Sequence, residues 1–185
     1  MTLFGTIFMH TVGGGGIVSG FLHPILGLDH LLAMVAVGLL SAQLGGKAIW
    51  TVPATFVSIM AVGGILGLVG VPLPLVEIGI AGSVILLGIA IAANKGLPIG
   101  LAMSIVALFG LFHGHAHGTE LPEITNTLGL TIAYVTGFLV ATVGLHVIGA
   151  LLGMMAIRNK RGTRTLQIAG GVISILGIFI ITGIL

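Results

Sequence analysis

Apolar residues fill this chain in long runs rather than at alternating or helical spacing. Predominantly apolar stretches at 52–71, 75–93 (charged only at Glu77), 97–118, 127–157 and 166–185 each approach or exceed the roughly 20 residues an α-helix needs to cross a bilayer. Lys47, Lys95 and the cluster Arg158, Lys160, Arg161 and Arg164 separate some of the runs, and Pro72, Pro74 and Pro122 break others. Ahead of them residues 2–44 form one run whose only formal charge is Asp29. The four consecutive glycines at 13–16 make a poor helix interior, so the pattern predicts a first spanning helix over 17–44. Residues 1–16 are then a short flap, a re-entrant piece or part of an extra helix. They hold no Lys or Arg and so lack the n-region of a secretory signal. The expected fold is all-α: a polytopic membrane helix bundle with six spanning helices, seven being the alternative, in a single transmembrane domain over 1–185.

Composition points the same way. Of 185 residues 57% are apolar and only 5% charged, 32 are glycine, and mean hydropathy is +1.29. Four acidic and six basic side chains cannot cover a water-soluble globule of this size. A cytosolic enzyme, a nucleic-acid binder and a disordered chain are excluded on that ground. Absence of cysteine removes disulfides, iron–sulfur clusters and thiolate metal sites together. All six basic residues fall in the connections after the first, third and fifth spans, whereas the fourth carries Glu120 and Glu123. The positive-inside rule then puts the basic connections in the cytoplasm and both termini of the six-span core outside. Glycines four residues apart (Gly63 and Gly67; Gly110, Gly114 and Gly118; Gly149 and Gly153) predict close helix packing in lipid.

Seven histidines against four carboxylates is the compositional oddity. Most lie in two clusters, His23-Pro24-Ile25-Leu26-Gly27-Leu28-Asp29-His30 and Phe112-His113-Gly114-His115-Ala116-His117-Gly118-Thr119-Glu120. On one continuous helix His23 and His30 share a face about 10 Å apart along the axis, with Asp29 on an adjacent face. His113, His117 and Glu120 fall at i, i+4 and i+7 and form one stripe, with His115 pointing away. The topology brings both clusters, and Glu77 at the start of the third span, to the outer leaflet. An ionisable residue at mid-membrane costs on the order of 2.5–3.5 kcal/mol on insertion scales, and less near the interface. Asp29, Glu77 and Glu120 have no Lys or Arg at that depth, so a bound cation or a protonated histidine is the available counter-charge. Imidazole with carboxylate and no thiolate suits Ni²⁺, Co²⁺, Zn²⁺ or Cu²⁺. The remaining histidines have plainer readings: His146 as a helix–helix hydrogen bond or part of an exit path, His10 as a further ligand or a bystander, and His115 as a group behind the ligands or facing solvent.

The pattern His23-x5-Asp29-His30 with Gly27, followed by 31–38, resembles the first signature of the HupE/UreJ family of hydrogenase and urease accessory permeases. Phe112-His113-Gly114-x-Ala116-His117-Gly118-x-Glu120 resembles its second signature, and the likeness covers essentially the whole chain. The resemblance implies a small permease, not an enzyme, that brings nickel, or in some members cobalt, across the cytoplasmic membrane for metalloenzyme assembly. By position it implies that His23, Asp29, His30, His113, His117 and Glu120 matter for transport. The metal ion is then cargo, lipid is the surrounding partner, and neither a prosthetic group nor nucleic acid is called for. No phosphate-binding loop is present, so ATP does not drive the chain directly. Two readings from other classes use the same residue types: an intramembrane zinc hydrolase, and a metal-binding accessory subunit that does not itself transport.

Overall fold

The computed structural model describes residues 16–158 and 160–184; His10 and most of the predicted flap lie outside that range. The described residues form seven helices and no strand. They are α1 (Ile17–Leu26), α2 (Leu28–Leu44), α3 (Ala48–Leu68), α4 (Val76–Ala93), α5 (Ile99–Ile124), α6 (Leu128–Ala156) and α7 (Lys160–Ile181). Five of these are long and apolar enough to cross a membrane, and α1 with α2 makes a sixth if the bent pair is one span. Large apolar side chains such as Trp50, Ile65, Leu128, Ile132, Met155 and Ile168 are exposed around the bundle, as expected of a lipid-facing surface.

The predicted first span is not one helix. The chain bends by 80° at Gly27, between α1 and α2. Three local features account for the break. Pro24 has no N–H with which to continue the ladder back to Gly20. Gly27 adopts an extended ψ of 110°, which ends α1 while its own N–H still donates to the His23 carbonyl at 3.1 Å. The Asp29 carboxylate then accepts the His30 N–H at 2.8 Å, satisfying one of the unpaired donors at the start of α2.

Helix boundaries differ most from expectation at two other points. α5 runs to Ile124 instead of ending near 118, so Glu120 sits on the helix rather than in the following connection, and Pro122 does not stop it. A proline in the last turns removes a single ladder bond, which an otherwise apolar helix in lipid tolerates. α7 starts at Lys160, six residues before the expected 166, because Arg161 and Arg164 are compatible with a first helical turn that reaches into the interface.

α2 is the central helix: ten of its 17 residues are buried, and Ala33, Met34, Ala36 and Val37 have no exposed surface. Around it the helices pair through glycine. A Cβ at Gly110, Gly114 or Gly118 of α5 would run into the backbone of Phe56, Met60 or Gly64 on α3, and one at Gly63 or Gly67 into Leu111 or His115. The two backbones therefore touch along a parallel pair, the geometry that small residues four apart permit. Gly149 and Gly153 do the same for α6 against Val35, Gly38, Leu39 and Ala42 of α2. All three glycine stripes read from the sequence are thus helix contacts. The directions of these pairs put Lys47, Lys95 and the junction of α6 and α7 at one end of the bundle. The α3–α4 and α5–α6 connections lie at the other end, together with α1.

Candidate metal site

At the end opposite the basic connections, α1, α2 and α5 bring four imidazoles together. Ring centroids of His23 and His117 are 4.7 Å apart, those of His30 and His117 4.6 Å, and those of His30 and His113 5.0 Å. His23 and His30 are 5.8 Å apart, far closer than a continuous helix would place them. The bend at Gly27 folds α1 over, so that the residue before the break and the residue after it face the same α5 stripe. α1 lies across the first half of α6, where Gly20 meets the Tyr134 carbonyl and Gly137 meets the Ile17 carbonyl. These close approaches fix the depth of His23.

The nitrogens are arranged for coordination. His30 Nδ1–H donates to Asp29 Oδ1 at 2.7 Å, and its buried Nε2 has no hydrogen-bond partner. His113 Nδ1–H donates to the Phe109 carbonyl at 2.9 Å and likewise leaves a buried Nε2 without a partner. In both, a hydrogen bond on one nitrogen fixes the tautomer that puts the lone pair on the other, as in metal-ligating histidines. Among the described residues His117 has no hydrogen-bond partner at either ring nitrogen. Its Nδ1 lies 3.9 Å from Glu120 Oε2, too far for a hydrogen bond but close enough to share an ion. Ligand atoms of His23, His117 and Glu120 all lie within 4.8 Å of one another. Such a set could hold a borderline divalent cation, with His30 and His113 as the next nitrogens inward.

The other candidates separate. Asp29 bonds His30 and is not one of the three residues whose ligand atoms lie within 4.8 Å of one another. Glu77 reaches the same end but is exposed on the first turn of α4. His115 points away from its neighbours as expected, yet it is buried at 6% exposure, not solvent-facing. Its Nε2–H donates to the Val71 carbonyl at 2.7 Å, tying the α3–α4 connection to α5. His146 departs from its helix–helix hydrogen-bond reading: it is 2% exposed and, among the described residues, neither ring nitrogen has a hydrogen-bond partner.

Two aromatic walls were not singled out from the sequence. Phe138 stacks 4.4 Å from His117 and 6.1 Å from His23, and Tyr134 lies 6.1 Å from His23. Phe56 lies 5.5 Å from His113. The signal for the first wall was present: Tyr134, Phe138, Thr142 and His146 recur every four residues and so share one face of α6.

The profile of the family described as HupE / UreJ protein matches residues 1–180. The Protein HupE of Rhizobium leguminosarum bv. viciae is 46% identical over 169 residues, covering 91% of this chain and 85% of that protein. No solved structure matches. With that profile matched over residues 1–180 of 185 and a relative 46% identical over most of both chains, the chain belongs to the HupE/UreJ family.

Proposed function

We propose that the chain is a secondary permease that admits Ni²⁺, and Co²⁺ by the same chemistry, across the cytoplasmic membrane for metalloenzyme assembly. The observation that carries this reading is the set of imidazole nitrogens at His23, His30, His113 and His117 on a lipid-clad bundle, several buried without hydrogen-bond partners and with Glu120 beside them. Members of the HupE/UreJ family are accessory and transport proteins, not enzymes, so the zinc hydrolase reading drops out.

In the mechanism, the site end faces outward, because the positive-inside rule keeps the basic connections in the cytoplasm. His23 and His117 accept the ion from outside, and Glu120 offsets part of its charge. Asp29 holds His30 in the tautomer that receives it next, and His113 passes it toward the bundle centre. Several sites of partial coordination suit conduction better than one closed cage, since an ion must also leave. An inside-negative potential acting on two charges is worth about 4.6 kcal/mol per 100 mV, enough to drive inward flow without ATP.

Proteoliposomes containing only this protein test the reading. Ni²⁺ uptake under an imposed inside-negative potential, abolished by His30→Ala and by His117→Ala, is the expected result. Tight binding with no flux in the wild-type protein would instead make the chain a metal-binding accessory subunit.

A further inference from the structure

Resting on the permease reading, we propose that His146 and Thr142 form a second, inner station for the same divalent cation, separated from the outer histidines by the Phe56 ring. Inward of the outer cluster, whose innermost imidazole His113 leaves its Nε2 without a hydrogen-bond partner, Thr142 Oγ1 and both ring nitrogens of His146 are likewise buried and without one among the described residues. All three residues are nearly or fully without exposed surface, at 0% for His113 and Thr142 and 2% for His146.

Thr142 is the informative one. Helical threonines elsewhere in the bundle (Thr55, Thr131, Thr136 and Thr165) return their hydroxyls to the carbonyl four residues before, the usual solution in lipid. The buried Thr142 hydroxyl makes no such bond, so it remains available to a ligand. One turn further along the same face of α6 stands His146. That face begins with Tyr134 and Phe138, which wall the outer site, so a single stripe leads from the outer cluster to His146. From Phe138 to His146 it spans about 12 Å along the axis.

Phe56 links the two levels. Its ring centroid is 5.5 Å from that of His113 and 5.3 Å from that of His146. An ion leaving His113 therefore meets the Phe56 ring and, beyond it, an imidazole and a hydroxyl whose lone pairs have no other claimant. Imidazole nitrogen with one neutral oxygen and no carboxylate is a weaker donor set than the outer one, which favours onward release.

The test uses the full-length protein with Ni²⁺ as probe. Equilibrium binding is measured on the purified protein, and uptake is measured in proteoliposomes. His146→Leu and Thr142→Val are compared with wild type. The inner station predicts that His146→Leu keeps the outer binding affinity while uptake falls about tenfold or more, because conduction needs each successive site. Thr142→Val removes only the hydroxyl and decides the matter if His146→Leu fails to fold: uptake should fall while thermal stability holds. Wild-type uptake in either folded variant overturns the inner station and leaves the permease reading intact. Absence of uptake in the wild-type protein overturns both.

Discussion

Asp29 and Glu120 have different jobs although both are carboxylates beside histidines. Asp29 bonds His30 twice, through the backbone N–H and through Nδ1, whereas Glu120 lies within reach of an ion shared with His23 and His117. Replacing Asp29 with Asn frees the tautomer of His30, and Ni²⁺ affinity measured by titration should drop about 10–100-fold, the usual cost of losing an orienting partner. His115 is of another kind. His115→Leu removes the bond to Val71 and leaves a carbonyl without its donor, so the melting temperature should fall by the equivalent of about 1–3 kcal/mol. Ni²⁺ affinity should stay at the wild-type value. The residue types of the site, and the stripe of His113, His117 and Glu120, were legible in the sequence because helical spacing alone puts them on one face. The division of labour was not, because it depends on which carboxylate oxygen meets which ring nitrogen.

At the scale of the helix, two devices make the site. The first is the break at Gly27, which converts a separation of seven residues into neighbouring rings. Gly27 and Pro24 were visible as ingredients, but a continuous apolar run gives no sign of where a span bends. Polar capping within a span, here by Asp29 on the His30 N–H, was the missing clue. The second is the glycine contact between α3 and α5, which the four-residue repeat did announce. Gly114→Ala would put a Cβ into the Met60 carbonyl and push the two helices apart. It should destabilise the protein by about 1–3 kcal/mol, as overpacking does, read as a lowered melting temperature in detergent. Gly100→Ala, which meets nothing within 4 Å, should be neutral or slightly stabilising, since alanine is the better helix former.

For the whole molecule, the orientation proposed above, with the basic connections in the cytoplasm and the histidine site outside, is open to direct labelling. The chain has no cysteine, so single cysteines report their own side without background. Asn126→Cys at the exposed α5–α6 connection and Lys95→Cys at the exposed α4–α5 connection should behave oppositely in intact cells. The first should react with an impermeant maleimide added outside, and the second only after lysis; the reverse pattern would turn the site end toward the cytoplasm. The measurement closest to the central claim is nickel-edge X-ray absorption on the Ni²⁺-loaded full-length protein. The account predicts imidazole scattering together with oxygen, with the imidazole contribution reduced in His117→Ala. An all-oxygen shell that His117→Ala leaves unchanged would contradict it, placing the metal away from the histidines gathered by α1, α2 and α5.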